Sequence, residues 1–254
     1  MNKVYVVGIG PGKPDGMTVE AVRALEQCSI IIGYPVYVDQ VRAYFPGKTC
    51  LSTPMREEVR RCRIALAAAE AGNTVAMVCS GDAGVYGMAG LLYELRGEYP
   101  GASITVIPGV TAALSGAALL GAPLGHDFCV ISLSDLLTPW PVIEKRIRMA
   151  AQADFAVCIY NPSSHKRKDH LQKACDLMLQ YRPSDTICGI AENIGREGET
   201  MEILSLSELR NKEVNMFTTV FIGNASTKII DGRMVTPRGY LEKEQKTDTK
   251  QAGE

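Results

Sequence analysis

A strand pattern at the start of the chain runs directly into a glycine turn, and this junction limits what the chain can fold into. The apolar run at residues 3–9 leads into a turn with Gly8, Gly10, Pro11 and Gly12. A dinucleotide-binding turn, G-x-G-x-x-G, needs its third glycine where Lys13 stands. Pro11 also removes an amide donor where a phosphate would bind. The turn therefore favours a small ligand at a rigid loop, with a plain tight connection as the alternative.

Strand patterns and helix patterns alternate through the first half of the chain. Strands are predicted at residues 3–9, 29–33, 74–80 and 103–108, and helices at residues 18–27, 56–71, 86–98 and 111–120. Gly72 is expected to end the helix at 56–71 in the left-handed conformation. This alternation favours a mainly parallel sheet with helices on its faces.

The pattern restarts after Gly121-Ala-Pro-Leu-Gly125. Strands are predicted at residues 128–133, 155–160, 186–192, 199–205 and 216–223, and helices at residues 141–151, 166–181 and 207–211. The last strands lack long helices between them, which indicates antiparallel pairs, and Asp231-Gly232 predicts the turn of a hairpin at residues 229–235. We predict an α/β fold with two domains, residues 1–120 with a mainly parallel sheet and residues 121–240 with a mixed sheet. Residues 241–254 are charged and aperiodic, and we expect a disordered tail there.

The charge balance limits the classes of partner. The 254 residues include 27 lysines and arginines against 28 aspartates and glutamates, and the isoelectric point is near 6.3. This balance gives no general field that would attract nucleic acid or an anionic membrane. Apolar runs are shorter than the roughly 20 residues that span a bilayer, and the chain starts without a cleavable leader pattern. We expect a soluble cytoplasmic protein without nucleic-acid or membrane partners.

The cysteines are scattered and lack the C-x-x-C or histidine spacing of a zinc site. There are eight of them: Cys28, Cys50, Cys62, Cys79, Cys129, Cys158, Cys175 and Cys188. Several fall inside apolar strand patterns, which is typical of small buried hydrophobic side chains. We predict reduced thiols in the core and no metal site.

The loops after the strands carry the functional signal, because ligands of open α/β sheets collect at the carboxyl ends of strands. The loop at residues 80–88 combines glycines with Asp82, a hydrogen-bond acceptor, and Tyr86, an aromatic face. The turn at residues 108–113 begins a helix of small residues that Thr111 can cap. Residues 160–168 place basic side chains at a helix start, which an anionic ligand would stabilise. Capped helix starts and solvated turns are the structural alternatives.

Taken in order, these segments resemble the tetrapyrrole methylases, which transfer methyl groups from S-adenosylmethionine. The matching segments are Gly8-Ile-Gly-Pro-Gly12, Ser80-Gly-Asp-Ala-Gly-Val-Tyr86, Pro108-Gly-Val-Thr-Ala-Ala113 and Gly121-Ala-Pro-Leu-Gly-His-Asp127. Residues 131–140 and 153–163 are similar to the branch that methylates carbon 17 of a corrin precursor. The resemblance covers about residues 1–240. Ala83 replaces a proline that many family members have, as is common in this branch.

The resemblance implies a particular arrangement of the methyl donor. It implies two α/β domains with the donor in the cleft between them, and a homodimer. It assigns Pro11 to the donor site and Ser80, Gly81 and Asp82 to the amino acid or ribose part of the donor. The remaining donor-site positions are Val85, Tyr86, Thr111, Ala112, Asn161, Ala191 and Asn193. The donor would be S-adenosyl-L-methionine and its product S-adenosyl-L-homocysteine.

The C-17 branch also implies contraction of the tetrapyrrole ring, which requires proton transfer at an oxygenated carbon. We expect His126 and Asp127 to serve as the acid and base, with Ser132, Ser134 and Asp135 as further candidates. The substrate's carboxylates would need cations. The candidates for these are Arg56, Arg60, Arg61, Lys166 and Arg167. A structural histidine and an ordinary charged helix face are the alternatives.

Two other kinds of function are weighed against this one. One is a methylase of the same fold that acts on another corrin position or, like diphthine synthase, on a protein side chain. The other is a nucleotide-dependent oxidoreductase or regulatory module, which the missing third glycine disfavours. Gly33-Tyr34 also stands where a ribose-binding acid would be expected. The sequence leaves open whether the acceptor contains cobalt.

Overall fold

The computed structural model describes residues 2–164, 167–241 and 243–244. The chain forms two compact units. The first contains the described residues up to Ser115 together with Ile194–Glu197, and the second contains Gly116–Asn193 and the described residues from Gly198 onward. The domain boundary predicted after residue 120 stays a prediction. The tail predicted at residues 241–254 lies largely outside the described residues.

The first unit is built on a five-stranded sheet with the order β3-β2-β4-β1-β5. Its strands are β1 (Lys3–Gly8), β2 (Ile30–Gly33), β3 (Thr49–Ser52), β4 (Thr74–Cys79) and β5 (Ser103–Ile107). All neighbouring strands are parallel. β1 lies inside the sheet, between β4 and β5, and both of its faces are covered. Its sequence is therefore an apolar run, in which Val4, Val6 and Val7 are fully buried.

Helices cover both faces of this sheet. They are α1 (Val19–Gln27), α2 (Pro35–Arg42), α3 (Glu58–Glu70) and α4 (Ala89–Leu95). A further helix, α5 (Ala112–Leu120), begins in the first unit, and its residues from Gly116 onward belong to the second. Successive residues of β4 point to opposite faces, so Met77 belongs to the core with Leu66 and Leu92, whereas Val78 belongs to the core with Leu25. Each face of the sheet thus has its own hydrophobic core.

The mainly parallel sheet was predicted correctly, but α2 and β3 were missed, and α4 begins later than predicted. No element was predicted over α2 or β3, and β3 lacks a strand signal because it is an edge strand with mostly exposed residues. The helix predicted from residue 86 starts at Ala89, because Tyr86 has a φ of 54° that no helix accepts. Gly72 has a φ of 97°, which confirms its predicted role at the end of α3.

The second unit has a mixed sheet and a small three-stranded sheet. The mixed sheet has the order β10-β9-β11-β8-β7. The strands of this unit are β6 (Gly121–Ala122), β7 (Phe128–Ser132), β8 (Ala156–Tyr160), β9 (Ile187–Glu192), β10 (Thr200–Ser205), β11 (Thr218–Ile222), β12 (Lys228–Ile230) and β13 (Arg233–Val235). β7 and β8 are parallel, and the other pairs of the mixed sheet are antiparallel. The predicted antiparallel pairs are confirmed.

The small sheet pairs the hairpin β12–β13 with β6. Asp231 and Gly232, with φ values of 48° and 71°, form its turn, as the sequence predicted. Three helices, α6 (Trp140–Gln152), α7 (His170–Met178) and α8 (Leu206–Arg210), pack on the mixed sheet around Ile143, Ile147 and Leu171. α7 begins later than its predicted start at residue 166.

The prediction that most cysteines are free thiols in the core is confirmed, since all eight are free and six of them are buried. Burial raises the pKa of Cys28 and of Cys62 to about 12 and that of Cys79 to about 11. These thiols therefore remain protonated and unreactive. Over the described part of the chain, every helix is too short or too polar to cross a membrane.

Candidate functional site

Three loops of the first unit meet where β1, β4 and β5 end. Gly10 N–H donates to the carbonyl of Gly81 at 3.0 Å, and Gly81 N–H donates to the carbonyl of Gly10 at 2.8 Å. This two-way bridge joins the opening loop to the loop after β4. The loop after β5 joins them through Gly109. We call Gly8, Gly10, Gly81 and Gly109 the glycine edge.

Close backbone contact explains these glycines. A Cβ atom on Gly109 would lie 2.1 Å from the carbonyl oxygen of Gly81, and one on Gly8 would lie 2.7 Å from the amide nitrogen of Gly109. Gly10 also has a φ of 70°, which favours glycine. The glycine edge is therefore defined by backbone atoms, and a side chain on Gly8 or Gly109 would push the loops apart.

The Asp82 side chain holds the loops of the glycine edge together by hydrogen bonds. Its Oδ1 accepts from the amides of Gly84 and Val85 at 2.7 and 3.0 Å, and its Oδ2 accepts from the amide of Gly109 at 2.9 Å. The sequence predicted an acceptor for a ligand or a helix cap. In the structure the carboxylate is engaged with backbone amides, so it fixes the shape of the loop at residues 80–88 and its contact with Gly109.

The other residues of the first unit that were predicted to bind the methyl donor lie next to these loops. A Cβ on Gly81 would be 3.3 Å from the Cα of Thr111, and the Thr111 carbonyl accepts from Leu114 and Ser115 at the start of α5. Val85 and Tyr86 are exposed. Thus Pro11, Ser80, Gly81, Asp82 and Thr111 come together, Ala112 follows Thr111 in α5, and Val85 and Tyr86 offer apolar surface on the same loop.

A cluster that the sequence did not predict adjoins Ser80. Arg196 Nη2 donates to Ser80 Oγ at 3.2 Å, and the Arg196 guanidinium lies 6.0 Å from the ring centroid of Tyr37. Burial raises the pKa of Tyr37, and the charge of Arg196 partly opposes that rise. Gly195 packs against Pro11, since a Cβ there would lie 2.9 Å from the Cβ of Pro11. The segment Ile194–Glu197 thus belongs to the surroundings of the opening loop.

A different kind of edge forms in the second unit where β7 and β8 end. Asn161 Nδ2 donates to Ser132 Oγ at 2.9 Å, and Ser134 N–H donates to the same oxygen at 3.2 Å. Asn161 itself has a φ of 53°. We call Ser132, Ser134, Asp135 and Asn161 the polar edge, because side-chain oxygen and nitrogen atoms define it.

Ala191 and Asn193 belong to the same end of this sheet. β9 runs in the direction of β8, because both strands are antiparallel to β11. Ala191 is fully buried inside β9, so its methyl group is not accessible. Asn193 donates its backbone N–H to Phe217 O at 3.2 Å and its Nδ2 to Gly198 O at 3.3 Å. Any role of Ala191 in ligand binding would use its backbone.

A buried network supports Asp135. Arg167 Nη1 donates to Ser134 Oγ at 2.6 Å, and its Nε donates to Ser164 Oγ at 3.0 Å. The same guanidinium lies 3.6 Å from Asp135 Oδ1, and His170 Nε2 lies 3.7 Å from Asp135 Oδ2. The structure therefore brings Ser132, Asp135 and Asn161 together and adds His170, which the sequence reasoning had missed.

His126 and Asp127 lie at the other end of β7. Both side chains are exposed, and His126 Nδ1 accepts from the amide of Asp127 at 2.9 Å. The whole of β7 separates Asp127 from Ser132, which corresponds to about 16 Å at the rise of a strand. The structure does not bring the two first-choice catalytic candidates to Ser132 and Asp135.

The expected cations are mostly engaged elsewhere. Arg61 is buried and donates to Thr53 and to the Pro54 carbonyl. It therefore holds the segment after β3 in place and is not available to bind the carboxylates of a substrate. Arg60 pairs with Glu57 at 2.7 Å. Arg56 and Arg60 line a shallow groove of about 580 Å³ along α3, which is an ordinary charged helix face. Lys166 lies outside the described residues.

Comparison with known proteins identifies the family. The chain matches the family model of tetrapyrrole (corrin/porphyrin) methylases over residues 3–210. A Salmonella typhimurium protein named "Probable cobalt-factor III C(17)-methyltransferase" is 47% identical over 236 residues, which are 92% of this chain and 98% of that protein. The precorrin-3B C(17)-methyltransferase of a Sinorhizobium species is 39% identical over 246 residues, covering 93% and 96% of the two chains.

A solved structure supports the same assignment. The crystal structure of the methyltransferase CobJ is similar with a TM-score of 0.85 and 37% sequence identity, covering 92% of this chain and 99% of that one. This protein belongs to the tetrapyrrole methylase family. The predicted family and α/β fold are confirmed.

Proposed function

We propose that this protein is a methyltransferase of cobalamin biosynthesis that uses S-adenosylmethionine, methylates C-17 of cobalt-factor III or precorrin-3B, and contracts the ring to the precorrin-4 level. The observation that carries the proposal is the glycine edge, which joins the opening loop, the Asp82 loop and the start of α5 in a chain of this family. The relative named for cobalt-factor III is 47% identical and the one named for precorrin-3B is 39% identical. This order favours the cobalt-containing acceptor.

Binding of the donor would use the surroundings of the glycine edge. Pro11, Ser80, Gly81, Thr111 and Ala112 supply backbone and small side chains, which suit close approach of a ligand. Val85 and Tyr86 supply exposed apolar surface for a flat ring. Asp82 would act through the loop that it orders. Asn161, Ala191 and Asn193 remain predicted donor residues from the second unit.

Catalysis of methyl transfer would rest mainly on alignment. S-adenosylmethionine supplies a methyl group that its sulfonium already activates, and an electron-rich carbon of the tetrapyrrole accepts it. Holding two reactants in line can be equivalent to an effective concentration of about 10⁵ M. The chain's contribution to this step is therefore a rigid donor loop, which the backbone bridge between Gly10 and Gly81 and the bonds of Asp82 provide.

Ring contraction needs a group that moves a proton, and we propose Asp135, with Ser132 beside it, for that role. Asp135 is partly exposed and lies three residues after the end of β7, beyond Ser132. Asp127 lies at the opposite end of β7, about 16 Å from Ser132, and His126 precedes it. They remain predictions, and the separation makes Asp135 the stronger candidate.

Anaerobic incubation with S-adenosylmethionine and each acceptor tests the proposed function. We expect cobalt-factor III to gain the mass of one methyl group, and a ¹³C-labelled methyl group to be located at C-17 by NMR. Reactions with S-adenosylhomocysteine in place of the donor serve as the matched control. Methylation at another carbon would replace the proposal by a different corrin methylase, and the absence of any methyl gain with both acceptors would reject it.

We also propose that the protein acts as a cytoplasmic homodimer. The family resemblance supports the homodimer, and the near-neutral charge balance supports a protein without nucleic-acid partners. Light scattering coupled to size-exclusion chromatography would measure the mass, and a mass of 27.5 kDa, that of one chain, would reject the dimer.

A further inference from the structure

His170 is a buried polar residue at the first position of α7. Its Nδ1 lies 3.0 Å from the carbonyl oxygen of Leu133. Because a carbonyl oxygen only accepts, Nδ1 must carry a hydrogen and donate it. This bond fixes the tautomer and the orientation of the ring, so any neutral form of His170 has its lone pair on Nε2.

The other ring nitrogen faces a carboxylate. His170 Nε2 lies 3.7 Å from Asp135 Oδ2. A lone pair that faces an ionised carboxylate is repelled, whereas one proton, on Nε2 or on the carboxyl group, turns the same contact into an attraction. Because Nδ1 donates to Leu133, Nε2 is the ring nitrogen that is left to exchange a proton with the Asp135 carboxyl group.

The surroundings keep this pair in place. The Trp140 ring lies over His170, with 4.6 Å between the ring centroids, and Lys173 lies 5.8 Å from the Trp140 ring while pairing with Asp169 at 2.6 Å. Arg167 is the other described charge at Asp135, at 3.6 Å from Oδ1. The His170 side chain is 8% exposed and the Asp135 side chain 37%. Asp135 is thus the most exposed of the three charged or titratable side chains Asp135, Arg167 and His170.

We propose that His170 is a positioning residue that holds the Asp135 carboxyl group and shares a proton with it during the reaction. The inference rests on the proposed function, in which Asp135 moves the proton of ring contraction. Asp135 would exchange a proton with the substrate at Oδ1, the oxygen beside Arg167, and His170 would keep Oδ2 fixed. No bond between protein and substrate carbon is required.

Two substitutions separate this role from simple structural support. The amide nitrogen of an asparagine lies near the position of Nδ1, so His170→Asn keeps a donor to Leu133 and loses the contact with Asp135. The amide nitrogen of a glutamine reaches the position of Nε2, so His170→Gln keeps a donor to Asp135 and loses the Leu133 bond. We expect His170→Asn to lower the turnover number about 100-fold, the lower range of acid–base catalysis, with an unchanged KM for the donor.

The relative turnover of the two variants distinguishes a positioning role from structural support. We expect His170→Gln to retain more turnover than His170→Asn, even where its melting temperature is lower. If His170 only supported the fold, turnover would follow stability and the asparagine variant would be the more active. Higher activity of His170→Asn would overturn the proposal.

NMR on ¹⁵N-histidine-labelled protein without substrate tests the proton sharing by itself. We expect the Nδ1–H of His170, assigned by its loss in His170→Asn, to be present in the wild type and in Asp135→Asn. The Nε2 shift should change on Asp135→Asn. An unchanged Nε2 shift would overturn the inference while leaving the proposed function intact. A changed shift together with full ring contraction by Asp135→Asn would instead reject Asp135 as the proton-moving group, and the inference with it.

Discussion

The glycine edge and the polar edge occupy corresponding places, at the ends of strands, but they are built from different atoms. At the glycine edge, backbone amides and carbonyls contact one another, and Asp82 fastens them. At the polar edge, hydroxyl, amide and carboxyl groups of side chains make the contacts. Backbone contacts fix a shape, whereas side-chain groups can donate, accept or move protons.

This difference separates the two tasks that the proposed reaction requires. Methyl transfer needs a donor held in one position, which suits a rigid backbone. Ring contraction needs groups that change protonation, which suits Asp135 and His170. A change at the glycine edge should therefore affect stability and donor binding, and a change at the polar edge should affect turnover first.

The largest expected effect comes from Gly109→Ala. The new Cβ would lie 2.1 Å from the Gly81 carbonyl oxygen and would force the loops apart. We expect a loss of about 3 kcal/mol in the free energy of unfolding, the upper range for overpacking, measured by urea denaturation. Binding of S-adenosylhomocysteine, measured by calorimetry, should weaken in parallel.

Gly90→Ala is the matched control for this change. Gly90 lies in α4, and a Cβ there would meet no atom within 4 Å. We expect this variant to be more stable than the wild type by up to about 1 kcal/mol, because alanine favours the helix. Equal stability of the Gly109 and Gly90 variants would show that the glycine edge tolerates side chains. The proposed difference between a rigid backbone edge and an edge built from side chains would then be wrong.

The alternation of apolar runs was enough to predict the parallel first sheet and the mixed second sheet, because each buried strand carries its own signal. The elements that escaped prediction carry weak signals. β3 is an exposed edge strand, and the loop before α4 contains Tyr86, whose φ of 54° is uncommon for a tyrosine and is not indicated by residue preference. Local sequence does not contain that information.

The candidate site was predictable in part for a similar reason. Loops after strands identified Ser80, Gly81 and Asp82, but the contact between Arg196 and Ser80 joins residues far apart in sequence. His170 was missed although a signal existed. It shares the spacing of Ala174 and Leu177, which places it on the buried face of α7. His126 was chosen from its place between the two halves, and spacing along β7 could have shown its distance from Ser132.

An intermediate effect is expected from Ser132→Ala at the polar edge. The substitution removes the oxygen that accepts from Asn161 Nδ2 and from the Ser134 amide. We expect a loss of about 1 kcal/mol in stability, the usual contribution of a hydrogen bond. Turnover should fall about tenfold, which corresponds to about 1.4 kcal/mol in the activation barrier. The affinity for S-adenosylhomocysteine should fall less than tenfold, because the substitution affects donor binding only through Asn161. Weaker donor binding with normal turnover would reverse the division of tasks between the edges.

The smallest effect is expected from Glu208→Gln, because Glu208 lies away from the polar edge. β10 is antiparallel to β9 and ends at Ser205, which pairs with Ile187 at the start of β9. Asn193 follows the end of β9, so Ser205 and Asn193 lie at opposite ends of the strands. Ser205 and Glu208 form a capping box at the start of α8. Hydrogen bonds from the backbone and side chain of Ser205 lower the pKa of Glu208 in the folded protein.

The lowered pKa sets the direction of the pH effect. The ionised carboxylate stabilises the folded state above its ordinary pKa of about 4.3, and this contribution is lost as the pH falls through the lower folded value. Near neutral pH, we therefore expect Glu208→Gln to unfold at a slightly lower urea concentration than the wild type, with the difference disappearing in acid. The effect stays small because glutamine also serves in a capping box. Turnover should not change, and a loss of turnover would show that the polar edge extends further than its defined residues.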